Sequence, residues 1–328
     1  MNGESTGRRH IVDARWWLLT WVFLFLCLEW WNIFGWNLRA ASIFLYQTPE
    51  SFTCPDQPRK AASDFFNFKV WLVVALAQAV VWGVVASVAL RWLFHLWLYT
   101  RETAGRLRRK ITVAILLRVI LFGGSLWFFL WFLTPLPDWE LGCFKGHIDV
   151  KLAGLPAYLA AGLAATTMWV LEKRVYSLKA EQGQFATTRN YLELRHKLQI
   201  LLLMASVVLA FGVIGLITRR TFLQGISPES FFPNSIVLES FEYTLLLALA
   251  YAPVHAAFNS VGTQLRDALI PAPSDDSPET VQEWVKRFNA ISDLMQIQVY
   301  DWKSFGPGFP ILAPFLVGLL SDLLKKLS

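Results

Sequence analysis

The sequence predicts an all-α fold, a polytopic integral membrane helical bundle with a cytoplasmic amphipathic C-terminal region. Three observations predict it. Six apolar stretches have transmembrane length, basic residues concentrate in alternate connecting segments, and aromatic residues bracket the apolar stretches. With 328 residues, 55% of them hydrophobic, and a mean hydropathy of +0.42, the chain is too apolar for an ordinary soluble domain.

The six predicted spans run from Trp16 to Trp36, Val70 to Leu90, Ile111 to Thr134, Ala153 to Leu171, Leu198 to Thr218 and Phe241 to Asn259. Each supplies the roughly 20 residues that a helix needs to cover about 30 Å of hydrocarbon. Trp16, Trp17, Trp30, Trp31 and Trp36 suit the headgroup boundary, where an aromatic body with a polar edge is well solvated. Phe23, Phe25, Trp71 and Trp82 lie deeper, as packing or lipid contacts.

The first stretch exceeds a signal-peptide core in length and carries Glu29, so it reads as a retained signal-anchor helix. The net charge of +6 follows topology and needs no nucleic-acid partner. Arg101, Arg106, Arg108, Arg109 and Lys110 face only Glu102 in the second connection, and Glu172 to Lys197 holds six basic and three acidic residues. The alternate connections are nearly balanced. Because positive loops resist translocation, the N-terminus and C-terminus are expected in the cytoplasm, with residues 1–260 spanning and 261–328 forming the tail.

Cys54 and Cys143 fall in the first and second outward loops, where oxidising surroundings would permit a disulfide; two unrelated thiols are the alternative. Cys27, inside the first span, reads as a small buried hydrophobe. No cysteine and histidine spacing suggests a metal site, and no cofactor is expected.

Ala153, Ala157, Ala161 and Ala165 recur every four residues, presenting a small-residue face for close helix approach in the fourth span. Gly212 and Gly215 predict a notch or bend in the fifth. The polar stretch between Glu172 and Lys197 reads as a cytoplasmic elbow interrupted at Gly183. After a Pro- and Ser-rich linker, Val281, Trp284, Val285, Phe288, Ile291, Leu294 and Met295 share the apolar face of a helix from Glu279 to about Tyr300. This face suits protein packing better than membrane skimming, because the tail from Val261 has six basic and eight acidic residues. The final run, Phe309 to Leu324, reads as a dipping or protein-covered helix, with a tilted seventh span as the alternative.

Ionisable residues inside spans are costly in lipid and so point to pathways or polar packing. Arg91, His95, Arg118, His255 and Asn259 are expected near one inner level, while Glu29 and Glu242 lie toward the outer side. The inner set suits either an anion vestibule or a static seam between helices, and dispersed contacts with headgroups are a third reading. Tyr251 shares a face with His255, and Pro253 between them loosens the backbone ladder.

No metalloprotease, serine-hydrolase, phosphate-loop or dinucleotide motif is present, so no catalytic residue is assigned. Two functions remain from different classes. One is formation or regulation of an ion or small-solute pathway, with self-association in the membrane. The other is a noncatalytic scaffold or sensor whose Trp284 and Phe288 surface receives a cytoplasmic protein. Membrane lipids are partners in both.

Overall fold

The computed structural model describes residues 18–27, 58–100, 113, 140–141, 144–145, 155–178, 184–226, 235–271, 273, 277–295, 297 and 310–327. These form α1 (Leu18–Cys27), α2 (Pro58–Thr100), α3 (Leu155–Ser177), α4 (Gln184–Ile226), α5 (Ser235–Leu269), α6 (Pro278–Leu294) and α7 (Ala313–Leu327). A two-residue antiparallel ribbon, β1 (Glu140–Leu141) with β2 (Phe144–Lys145), lies within the predicted second outward loop and leaves the helical class unchanged.

Three described segments are long and apolar enough to cross a membrane: Lys69–Leu96 in α2, Ala186–Thr221 in α4 and Ile236–Leu269 in α5. They contain the second, fifth and sixth predicted spans. The protein is therefore a polytopic helical membrane protein. At 43 residues each, α2 and α4 are about 65 Å long, roughly twice the hydrocarbon thickness, so both project beyond it. The first predicted span is described only over α1, and of the third only Val113 lies among the described residues. The fourth is helical as α3 but is not among the three candidates, because Glu172, Lys173 and Arg174 cut its described apolar stretch short.

The alanines of α3 serve packing. α3 packs against α2, α4 and α5, with Ala157, Ala160, Ala161, Ala164 and Ala165 all buried. In a bilayer, helix association depends on close van der Waals fit and interhelical hydrogen bonds, so small residues belong at such a centre. Thr167 Oγ1 donates to the Ala89 carbonyl of α2 at 3.1 Å, and Trp169 Nε1 donates to the Ala250 carbonyl of α5 at 3.1 Å. The latter bond lies beside Pro253, which lacks the N–H of a regular helical turn.

Glycine sets two other approaches. A Cβ on Gly83 would lie 2.6 Å from Val22 Cα, so α1 and α2 meet backbone to backbone. At Gly215 the absent side chain leaves room for Gln78, whose Nε2 donates to the Phe211 carbonyl. The predicted glycine feature of the fifth span is thus a packing notch. Phe25, Trp71 and Trp82 are buried, whereas Phe23 is 69% exposed on the bundle exterior.

Cross-contacts fix helix direction. α4 runs against α5, because Gly212 faces Tyr243 while Tyr191 meets Phe258 and Gly262. α3 runs with α5, since Tyr158 pairs with Tyr243 and Trp169 with Ala250. α2 shares that sense, with Gln78 at the level of Phe211 and Ala89 at the level of Thr167.

Two cysteine expectations are corrected. The predicted Cys54–Cys143 disulfide is withdrawn: no disulfide occurs among the described residues, where Cys27 is the sole cysteine and is free. Cys54 and Cys143 themselves lie outside those residues. A shared membrane face does not supply the Cα approach of about 5.5 Å that pairing requires. Cys27 is also exposed rather than buried, because α1 meets α2 along another face.

The predicted elbow is mostly helical. α3 continues to Ser177 and α4 begins at Gln184, while Gly183 lies outside the described residues. α6 begins after Ser277, with Pro278 in its first turn and Glu279 favourably placed near the helix N-terminus. α7 packs on α4 and α5, with Gly318 against Ser240 and Phe315 edge-on to Phe241.

Candidate functional site

One row of polar residues lies at the interface of α4 and α5. On α4, Tyr191 and Arg195 are one turn apart and buried, with Arg195 6% exposed. Arg195 Nη1 donates to Tyr191 Oη at 2.6 Å, and that hydroxyl donates to the Phe258 carbonyl of α5 at 3.2 Å. The Tyr191 and Phe258 rings lie 5.8 Å apart, so the hydrogen-bonded chain is framed by aromatic packing. Gly262, one turn beyond Phe258, makes this possible: a Cβ there would stand 2.5 Å from Tyr191 Oη.

α5 contributes a matching ladder. Tyr251 Oη lies 3.1 Å from His255 Nδ1, and Asn259 Nδ2 lies 3.1 Å from His255 Nε2. The Tyr251 and His255 rings stack at 5.3 Å with planes 28° apart. Two neutral arrangements close the ladder. In one, Nδ1–H donates to tyrosine and Nε2 accepts from the asparagine amide. In the other, tyrosine donates to Nδ1 and Nε2–H donates to Asn259 Oδ1 after the amide turns over. The second also gives a partner to Oδ1, which is otherwise a buried acceptor without a hydrogen bond. Converting between them moves a proton from one ring nitrogen to the other.

Sequence-predicted residues divide around this row. His255 and Asn259 belong to it. Arg91 and His95 are exposed on α2, which packs against α3 and α4, so these two side chains face away from the core. Glu242 lies near the opposite end of α5, where its Oε1 is buried without a hydrogen-bond partner. Neighbouring Glu239 feels the charges of Arg219 and Arg220 from α4. Glu29 and Arg118 lie outside the described residues. Trp284 and Phe288 are half-buried and stacked at 4.9 Å; Trp284 Nε1 donates to the Pro271 carbonyl at 3.1 Å.

Tyr191 and Arg195 escaped the sequence reading because they fell in the expected polar elbow. The available signal was their four-residue spacing, in phase with Leu194, Leu198 and Leu202, which are also buried. Farther along the bundle, Tyr158 and Tyr243 hydroxyls share a 3.2 Å hydrogen bond beside an apolar cavity of ≈ 20 Å³ lined also by Ala161, Ala165, Ala205 and Leu247. That space holds about one water and is too apolar to retain it strongly. Among the described residues, no group of histidine, cysteine and acidic side chains forms a metal site.

The chain matches no protein-family model, and comparisons with curated proteins and solved structures return no significant relative.

Proposed function

We propose that this membrane protein forms or regulates an ion or small-solute pathway, with the Tyr191–Arg195 and Tyr251–His255–Asn259 row handling charge. The observation that carries this reading is a buried arginine and a histidine ladder at one helix interface. Burying such groups is costly, and a pathway gives that cost a use. The arginine favours anions, while the ladder offers both donors and acceptors. No reaction is assigned to the row.

The same proposal includes six spans up to the end of α5, with the amino terminus and α6 on the cytoplasmic side. Parallel α2 and α3 support the count, since chain connectivity between them requires a return crossing. The charge pattern supports the orientation. Lipid contacts are joined by self-association through the bundle exterior, where Leu203, Leu245 and Leu249 are exposed.

A scaffold or sensor is the second reading, favoured by the small apolar cavity and by the close packing of α3. In that function the row is a polar seam, and the tail engages a cytoplasmic protein. Purified protein in liposomes and planar bilayers separates the two. A pathway gives selective current that His255→Ala and Asn259→Ala alter at equal folded abundance. Silence from folded protein across voltage, pH and ion gradients sinks the pathway reading and leaves the scaffold.

A further inference from the structure

The tail helix α6 touches the bundle along one edge. Trp284 and Phe288 are half-buried, and Ser292, Met295 and Ile297 are buried; Val281, Val285 and Leu294 remain exposed. Two attachments hold this edge. At the first, the Arg266 guanidinium lies 4.0 Å above the Phe288 ring and donates from Nη1 to Ser292 Oγ at 3.5 Å. Asp267 orients that guanidinium by accepting from Nε at 3.0 Å and Nη2 at 2.9 Å.

The second attachment reaches the polar row. Ile297 is 4% exposed, and its backbone N–H donates to the Ser292 carbonyl at 2.9 Å, bending the chain back after α6. A Cβ on Gly262 would stand 2.9 Å from Ile297 Cγ1 and 2.5 Å from Tyr191 Oη. Tail and row therefore share one gap, and Gly262 is the residue small enough to leave it open to both. The Tyr191 hydroxyl in that gap is the group that receives Arg195.

We infer that Pro278–Ile297 is a detachable strap, whose docked Ile297 end closes the C-terminal end of α5 and holds the Tyr191–Arg195 pair in place. Segments secured by few contacts occupy the low-stability end of a fold and open without disturbing its core. Here a cation–π contact, one longer hydrogen bond and a short buried edge carry the attachment. Undocking uncovers Tyr191, loosens its grip on Arg195 and opens that end of the row to water. The consequence for ion or solute passage rests on the pathway reading, whereas the strap itself does not.

Hydrogen exchange of the full-length protein in lipid nanodiscs tests the strap independently of current. Phe288→Ala and Ile297→Ala should each speed amide exchange at least tenfold in 278–297 and also in the 187–198 turns of α4. Amides at 201–213, in the packed middle of α4, should keep their wild-type rates. Val285→Ala, at an exposed position on α6, should leave all three regions unchanged, and Gly262→Ala should reproduce the Ile297→Ala pattern. Faster exchange confined to 278–297 would overturn the coupling to Tyr191 and Arg195. Equal acceleration through 201–213 would overturn independent detachment, as would unchanged exchange throughout.

Discussion

Tyr191 ties a charged side chain to another helix through a single hydroxyl, accepting from Arg195 and donating to the Phe258 carbonyl. Tyr191→Phe keeps the ring and removes both bonds. Folding stability should fall by about 1–3 kcal/mol, because a buried acceptor for the charged Arg195 side chain is lost. Reversible unfolding in mixed micelles reads this. Trp169→Phe should cost less, about 0.6–1.7 kcal/mol, since it removes one neutral bond to Ala250 in a membrane bundle. A larger loss from Trp169→Phe than from Tyr191→Phe would put the main polar tie on the wrong helix pair. At this scale sequence was informative about residue type and weak about partners. Tyr251 and His255 were legible as a four-residue pair, with Asn259 placed at the same level, but Arg195 was hidden by its charged neighbours Glu193 and Lys197, which pair with each other at 2.6 Å. Arg91 and Arg195 are chemically alike; only packing distinguishes the exposed guanidinium from the buried one.

Between helices, glycine decides how closely backbones approach, and the interfaces at Gly83 and Gly212 differ enough to predict different outcomes. Gly83→Ala forces a Cβ within 2.6 Å of the α1 backbone and should separate α1 from α2. Gly212→Ala meets the Tyr243 ring at 3.8 Å, an ordinary van der Waals distance, and should change stability by less than about 0.5 kcal/mol. Thermal unfolding and crosslinking between α1 and α2 report both. Equal tolerance of the two substitutions would contradict the close approach at Gly83. The alanine repeat of α3 and the glycine notch of α4 were readable because small residues recur where helices must meet. Gly83 was not readable, since one glycine in an apolar run has no periodicity to mark it. The ends of α3 and α4 were obscured for the opposite reason: charged residues suggest a loop, yet the helices run through them, with Arg189 and Glu193 exposed and Glu172 and Arg195 buried.

Across the whole molecule, α6 and α7 attach at opposite ends of α5. Ile297 meets Gly262, whereas Phe315 meets Phe241, and about 30 Å of helix separates those levels. With α6 at the cytoplasmic end, this geometry predicts that Lys326 is reached from the other face, in place of an entirely cytoplasmic tail. In protein whose native cysteines are replaced by serine, Lys286→Cys and Lys326→Cys should react with an impermeant thiol reagent from opposite sides of sealed cells. Labelling from one side would contradict it. The membrane class and three candidate spans were visible in hydropathy alone, which depends on local composition. The packing site of α7 was not, because the run Phe309 to Leu324 carries no mark of which end of α5 it meets.

The buried row on α4 and α5, rather than the exposed charges of α2, is the part proposed to handle ions, and reversal potential under a salt gradient tests that most directly. Arg195→Gln should shift the reversal potential toward cation preference at equal folded abundance, Arg195→Lys should restore much of the wild-type value, and Arg91→Gln should leave it in place. Absence of current from folded wild-type protein, or equal shifts from Arg195→Gln and Arg91→Gln, would contradict the assignment.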